Sequence, residues 1–213
     1  MAGGMLTKQC DALTAKYLND VNDATAGGVV VSVPSGAPAV NYSATQPGDR
    51  IVLDDATALA LSDTVIGTLY GGVYMYVGFT TTTQAAVKGR IAFWTATNLG
   101  NGTYTVTGDA QPSTAVPTYI AGILINVITS TNFGWIQVAG IATVSFDSGT
   151  LTAIAAGNWV TAKVSATLAS SADVGAAAGV VTLAAQLGVA IAAPVSNTAS
   201  TVILTRGNFM GRI

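Results

Sequence analysis

The sequence predicts an all-β protein of antiparallel strands, preceded by a short N-terminal helix or arm. Three observations predict it. After Gly28, apolar residues alternate with polar or small ones in segment after segment, the period of a strand with two distinct faces. Asn101-Gly102 stands between two runs rich in β-branched and aromatic residues, a strong hairpin signal because both residues tolerate positive φ. All ten acidic residues are Asp, with no Glu. Exposed helix faces use Glu heavily, whereas turns favour Asp.

The N-terminal segment is the exception. Leu6, Cys10, Leu13 and Tyr17 recur at helical spacing, with Lys8, Asp11, Lys16 and Asp20 mostly off that stripe. A short amphipathic helix is expected there, ending near residues 23–28. Two readings stand side by side: a helix packed on its own domain, or an arm that docks on a neighbouring subunit.

Strand-like segments follow. Val29-Val30-Val31-Ser32-Val33 is β-branched and ends in the turn Pro34-Ser35-Gly36-Ala37-Pro38. Pro47-Gly48-Asp49 is a further turn, leading into Arg50-Ile51-Val52-Leu53. The glycine-rich run at 67–72 lacks a phosphate loop's Gly-Lys-Ser/Thr ending and reads as a turn before Val73. Val73, Met75, Val77 and Phe79 share one face, and Tyr74, Tyr76 and Gly78 the other. The hairpin joins Ile91-Ala92-Phe93-Trp94-Thr95 to Thr103-Tyr104-Thr105-Val106-Thr107. Ile136, Val138, Gly140, Ala142, Val144 and Phe146 share a face if the strand runs through Gly140. Val160, Ala162 and Val164 oppose Trp159, Thr161 and Lys163.

The alanine-rich stretch near the C-terminus is ambiguous. Gly175-Ala176-Ala177-Ala178-Gly179 could open a helix and matches a small-xxx-small packing pattern. Val181, Leu183, Leu187, Val189 and Ile191 are all odd-numbered, however, and this alternation favours strands, with Gly188 marking a bulge or a close backbone approach.

The expected division is an arm or helix over 1–27, a β domain over 28–140, and a second β module over 141–213 that could be continuous with the first. A faint internal echo accompanies it. Gly48-Asp49-Arg50-Ile51-Val52 resembles Gly157-Asn158-Trp159-Val160-Thr161, and Ala121-Gly122-Ile123-Leu124-Ile125 resembles Leu187-Gly188-Val189-Ala190-Ile191.

Composition narrows function. The chain has 213 residues, enough for a sizeable core. Half are apolar and 8% are charged, against about 25% in an ordinary soluble domain. The surface must be covered by uncharged polar residues or buried against other subunits, so a homo-oligomer is expected. The net charge is −2 and no basic run exists, so no nucleic-acid partner is expected. The sequence shows no basic region followed by an apolar one at its start, and its long uncharged stretches are broken by Pro, Asn, Gln, Ser and Thr. Neither a signal peptide nor a membrane span is expected.

Chemistry is sparsely provided. There is no His and no Glu, and Cys10 is the single cysteine. The commonest general base and metal ligand are missing, and neither a Ser-His-Asp triad nor a zinc site can be built. No catalytic residue, metal ligand or cofactor is expected. Asp54-Asp55 is the only adjacent carboxylate pair and reads as an exposed turn after Leu53. Cys10 reads as an inert thiol. The aromatics remain: Trp94, Trp135 and Trp159 fall in strands, and Tyr70, Tyr74 and Tyr76 cluster. Core packing or a subunit contact is one reading of them, and a sugar-stacking platform the other. Candidate interface residues are Leu6, Leu13, Tyr17, Tyr74, Tyr76, Trp94, Trp135 and Trp159.

One further pattern carries a resemblance. Phe133-Gly134-Trp135-Ile136-Gln137-Val138-Ala139-Gly140-Ile141-Ala142-Thr143-Val144, then 151–160 with Gly157-Asn158-Trp159-Val160, resembles the head decoration or cement proteins of tailed bacteriophages. Ile120-Ala121-Gly122-Ile123-Leu124-Ile125-Asn126 and Leu187-Gly188-Val189-Ala190 fit the same style. The resemblance spans roughly residues 73–205 and excludes the N-terminal segment. It implies a β-tulip-like barrel or β-sandwich, usually trimeric, on the exterior of the virion capsid, with the major capsid protein as partner and no catalytic residues. The alternatives are a head-fibre or tail-fibre module, or a glycan-binding adhesin that uses the Trp and Tyr residues.

Overall fold

The alternating run that begins at Gly72 forms a strand with no solvent face. In a computed structural model, which describes residues 47–62, 68–80, 87–95, 104–108, 120–146, 155–162, 169–171, 186–193 and 200–204, strand β2 (Gly72–Phe79) is buried along both sides from Tyr74 onward. The expected N-terminal helix, the strand at 29–33, the turn at Asn101-Gly102 and the stretch at 175–179 lie outside the described residues.

The described strands ahead of and around β2 are β1 (Arg50–Leu53), β3 (Ile91–Trp94), β4 (Thr105–Thr107), β5 (Ile120–Leu124) and β6 (Phe133–Val144). Four of them close a barrel with β2, in the order β2-β4-β3-β5-β6, with β6 pairing back onto β2. The β3–β4 pairing (Phe93↔Thr107, Trp94↔Val106) is the arrangement the hairpin signal predicts. Four of the five seams are antiparallel, and β2–β4 is parallel (Gly78↔Thr105, Phe79↔Val106). An odd ring of strands cannot alternate direction all the way round, so one like-directed pair is unavoidable. This is the departure from a purely antiparallel fold.

The alternation in β2 sorts its side chains into two cores. Met75, Val77 and Phe79 point into the barrel with Val106, Leu124 and Ile136. Tyr74 and Tyr76 point outward and are covered by Trp135, Leu53 of β1 and Ala58 of α1 (Asp55–Leu61). β1 lies antiparallel on β2 and completes the cover.

Helix α1 corrects the sequence expectation of an exposed turn at Asp54-Asp55. Asp54 is its N-cap, accepting a hydrogen bond from the Thr57 N–H at 2.7 Å. Asp55 Oδ1 accepts from the Gly71 N–H at 2.8 Å and ties the helix to the approach to β2. The signal was present: Asp54, followed by Asp55 and then Ala-Thr-Ala-Leu-Ala-Leu, is a cap before good helix formers. The Thr57 N–H bond lowers the Asp54 carboxyl pKa below its ordinary 3.8. A lowered folded-state value contributes stability that is whole above the unfolded value and is lost as pH falls through the folded one. Asp54→Ala is therefore expected to lower the thermal midpoint at neutral pH, with the gap to the native chain narrowing once pH drops below 3.8. A thermal scan at neutral and strongly acidic pH checks this; an equal gap at both would refute it.

β6 leaves the barrel and builds a second layer. It runs on through Gly140, which has φ +99°. Beyond that point it pairs with β10 (Ser200–Leu204), which pairs with β9 (Gln186–Ala190), then β7 (Trp159–Ala162), then β8 (Ala169–Ser171), all antiparallel. Ile136 and Val138 face the barrel core, whereas Ala142, Val144 and Phe146 of the same alternating series join a third core. The register slips between Val73↔Ala139 and Tyr74↔Gln137, which leaves Val138 as the extra residue of a bulge. The buried Gln137 amide Nε2 donates to the Ile141 carbonyl at 2.7 Å, bracing the bend from within its own strand.

The third core joins barrel to outer sheet. Ile91 and Phe93 of β3 and Ile123 of β5 pack against Val144, Val160, Leu187 and Val202. In β9 the backbone approach expected at Gly188 is real, since a Cβ there would run into the Ile203 carbonyl of β10. The burial does not follow the odd-numbered series, however. Leu187 and Ala190 are buried while Val189 is partly exposed, because the β7–β9 register slips between Val160↔Gly188 and Thr161↔Gln186.

The internal echo recurs as geometry. The Gly48 N–H donates to the Tyr76 carbonyl (2.8 Å), and the Tyr76 N–H donates to the Asp49 carbonyl (2.9 Å). The Gly157 N–H donates to the Ala190 carbonyl (2.8 Å), and the Ala190 N–H to the Asn158 carbonyl (3.0 Å). Both glycines have positive φ, +101° and +86°. The same turn thus starts β1 against β2 and β7 against β9.

Candidate interaction surface

The aromatic candidates separate by burial. Tyr74, Tyr76 and Trp135 are 0%, 0% and 2% exposed and belong to the core between barrel wall and α1. Tyr76 stacks on Phe133 with ring centres 6.0 Å apart and meets Trp135 at 5.3 Å, tilted by 58°. The Tyr74 hydroxyl donates to the Tyr70 carbonyl at 2.6 Å, and burial pushes its phenol pKa far above the ordinary value. Core packing, not a surface of the single chain, accounts for these three. Aromatics at alternating strand positions mark a face, but alternation does not show that both faces are covered. Leu6, Leu13 and Tyr17 lie outside the described residues.

Trp94 and Trp159 reach the surface, at different places. Trp94 stands at the end of β3 and meets Tyr104 edge-on, ring centres 6.2 Å apart. Tyr104 has φ +47° and its ring lies on Gly48, where a Cβ would come within 2.5 Å of ring carbon Cε2. A side chain at Gly48 would displace that ring. The result is a small aromatic corner at one end of the barrel.

Trp159 belongs to a longer feature on the outer sheet. Cα partners run Ile141↔Ile203 across β6–β10, Ile203↔Val189 across β10–β9 and Val189↔Trp159 across β9–β7. Directly opposed residues on paired strands share a face. These four side chains therefore form one apolar row across four strands, on the face away from the third core. Ile203 is 47% and Trp159 36% exposed, with Ile141 and Val189 partly so. No member carries a charge. Ile203, Val189 and Ile141 escaped the sequence reading, because each lies in a different strand and only the register brings them together.

Asp54 and Asp55 take structural roles. Asp54 caps α1 and Asp55 holds the Gly71 N–H, so the one adjacent acidic pair is committed to the fold. Among the described residues no group of three His, Cys, Asp or Glu side chains could hold a metal ion. Among them, too, no helix is long and apolar enough to cross a membrane.

No protein-family model matches the chain, and no curated protein matches it. One similar solved structure is the head fiber gp8.5 N base in bacteriophage phi29. It has a TM-score of 0.40 and 11% sequence identity, over 63% of this chain and 96% of that one. A likeness at this level carries no functional conclusion for the present chain.

What the arrangement offers is contact. The barrel ends in an aromatic corner, and the outer sheet presents an uncharged row. Covering either surface removes apolar groups from water without stripping hydration from a charge.

Proposed function

We propose that the chain is a non-enzymatic structural protein of a tailed-phage virion, attached to the exterior of the capsid through the major capsid protein. The observation that carries this reading is the residue inventory: no His, no Glu, one Cys and 8% charged residues over 213 positions. Such a chain is poor in groups that move protons or hold metals and rich in surface that can be covered cheaply. The decoration-protein pattern in Phe133–Val144 supports it from the sequence side.

Two forms of the reading are retained. A decoration protein staples shell subunits across their junctions, and a head-fibre base anchors an appendage to the shell. The similar chain from phi29 is named as a head-fibre base. In both forms a homo-oligomer is expected, a trimer if the resemblance to decoration proteins holds.

The test is direct. Purified chain is expected to co-sediment with phage shells that lack it, and electron microscopy of the loaded shell should place it at subunit junctions or at the foot of a fibre. Binding to cell-surface glycans through Trp94 or Trp159, with no binding to shells, would favour the adhesin alternative and refute this reading.

A further inference from the structure

The outer sheet repeats the barrel strand for strand. On the barrel, β3 pairs Ala92↔Gly122 with β5 and then slips to Phe93↔Ile120. On the outer sheet, β7 pairs Val160↔Gly188 with β9 and then slips to Thr161↔Gln186. A Cβ on Gly122 would run into the Gln137 carbonyl of β6, as one on Gly188 would run into the Ile203 carbonyl of β10. The Gly89 N–H donates to the Leu124 carbonyl (2.8 Å) and the Leu124 N–H to the Arg90 carbonyl (2.9 Å), the pattern of Gly157, Ala190 and Asn158. Met75, Val77 and Phe79 line the barrel, and Ala142, Val144 and Phe146 take the corresponding places in the third core. Strands β2, β3, β5 and β6 thus correspond to the far half of β6, β7, β9 and β10.

The correspondence gives the row Ile141–Ile203–Val189–Trp159 a counterpart. On the barrel, Cα partners run Tyr74↔Gln137, Gln137↔Ile123 and Ile123↔Ile91. Those four residues are 0%, 3%, 1% and 0% exposed. Tyr74 lies in the core with Leu53 and Ala58, and Ile123 and Ile91 lie under the outer sheet. On the outer sheet the equivalent Ile203 and Trp159 are 47% and 36% exposed. A row sealed by further layers in the first unit is open in the second.

Charge and symmetry identify its occupant. Strands β7, β8, β9 and β10 and residues 140–144 contain no charged residue. Two identical faces meeting about a twofold axis bring like charges towards one another, and this face has none to repel. Head-to-tail stacking is barred, because the face of the outer sheet that covers Ile91 and Ile123 is already in use within each copy. What a second copy offers on this sheet is the same row. We infer that two copies pack these outer faces together about a twofold axis, with Ile203 of one copy opposite Val189 of its partner. The inference names one contact of the homo-oligomer expected above and does not rest on attachment to a capsid. Four strands of about five residues span roughly 19 by 17 Å. That footprint is smaller than the roughly 800 Å² per partner of a standard interface, so the association is weak and concentration-dependent.

Sedimentation velocity on the full chain tests this. Between about 1 μM and about 1 mM, the weight-average mass of the native protein is expected to rise to about twice that of an Ile203→Asp chain at the same concentration. Val189→Lys should block the rise as well. An equimolar mixture of the two variants should restore it, because the new carboxylate then faces the new ammonium group. Val52→Asp, at a position 63% exposed on β1, should leave it unchanged. Circular dichroism of every variant should match the native chain. A native mass that does not rise would overturn the inference. So would a rise that survives in a folded Ile203→Asp or Val189→Lys chain, or a mixture that stays dissociated. Loss of the rise in Val52→Asp would set the row against β1 of the next copy and overturn the twofold contact.

Discussion

Gly140→Ala is expected to destabilise the chain by about 2–5 kcal/mol, a large share of the roughly 5–15 kcal/mol that holds a typical domain together. Two costs add. Gly140 has φ +99°, and forcing a residue with a Cβ to positive φ costs about 1–2 kcal/mol. The added Cβ would also run into the Gly71 carbonyl and come 2.8 Å from the Gly72 Cα. Those are backbone atoms of the paired strand and its approach, so they cannot swing aside, and such overpacking costs about 1–3 kcal/mol. Gly157→Ala is the control. Gly157 also has positive φ, +86°, but a Cβ there meets nothing within 4 Å, so about 1–2 kcal/mol is expected. Urea denaturation of the two variants separates the terms. Equal losses would mean that the close approach at Gly140 carries no energy.

Phe93→Ala is expected to cost about 3–5 kcal/mol, the usual range for removing a buried aromatic ring. Phe93 is fully buried in the core between the barrel and the outer sheet, with Val144, Val160, Leu187 and Val202. The cavity would open at the seam of the two layers and leave the barrel interior, built on Met75, Val77 and Phe79, intact. Amide hydrogen exchange should therefore quicken first in β7, β9 and β10, while β2 keeps its protection. Uniform acceleration would show that the two layers unfold as one unit.

These expectations rest on features that differ in how far the sequence showed them. The strand at Val73 to Phe79, the turn at Pro47-Gly48-Asp49 and the β3–β4 pairing around Asn101-Gly102 were legible. Each depends on neighbours along the chain: a period of two, a residue tolerant of positive φ, a β-branched run. The echo between residues 48–52 and 157–161 was visible in the sequence, and the structure shows that it carries the same turn. Helix α1 was available in its Asp54 cap but was masked by the β-rich surroundings.

The candidate surface was only partly legible. An aromatic residue at an alternating position marks a face, and the tertiary pairing decides whether that face meets water. Tyr74, Tyr76 and Trp135 became core because β1 and α1 cover the outer side of β2 and β6, whereas Trp159 stayed half-exposed because the described residues place no layer over that side of β7.

By itself, the amino-acid sequence determined the strand periodicity, the turn positions and a side-chain inventory with little scope for acid–base or metal chemistry. Those properties belong to single residues and their near neighbours. The tertiary structure alone decided the parallel β2–β4 seam, the passage of β6 between two layers at Gly140, and the assembly of Ile141, Ile203, Val189 and Trp159 into one row. Each depends on which distant strands pair and in what register. A one-residue slip would turn every side chain of a strand to its opposite face.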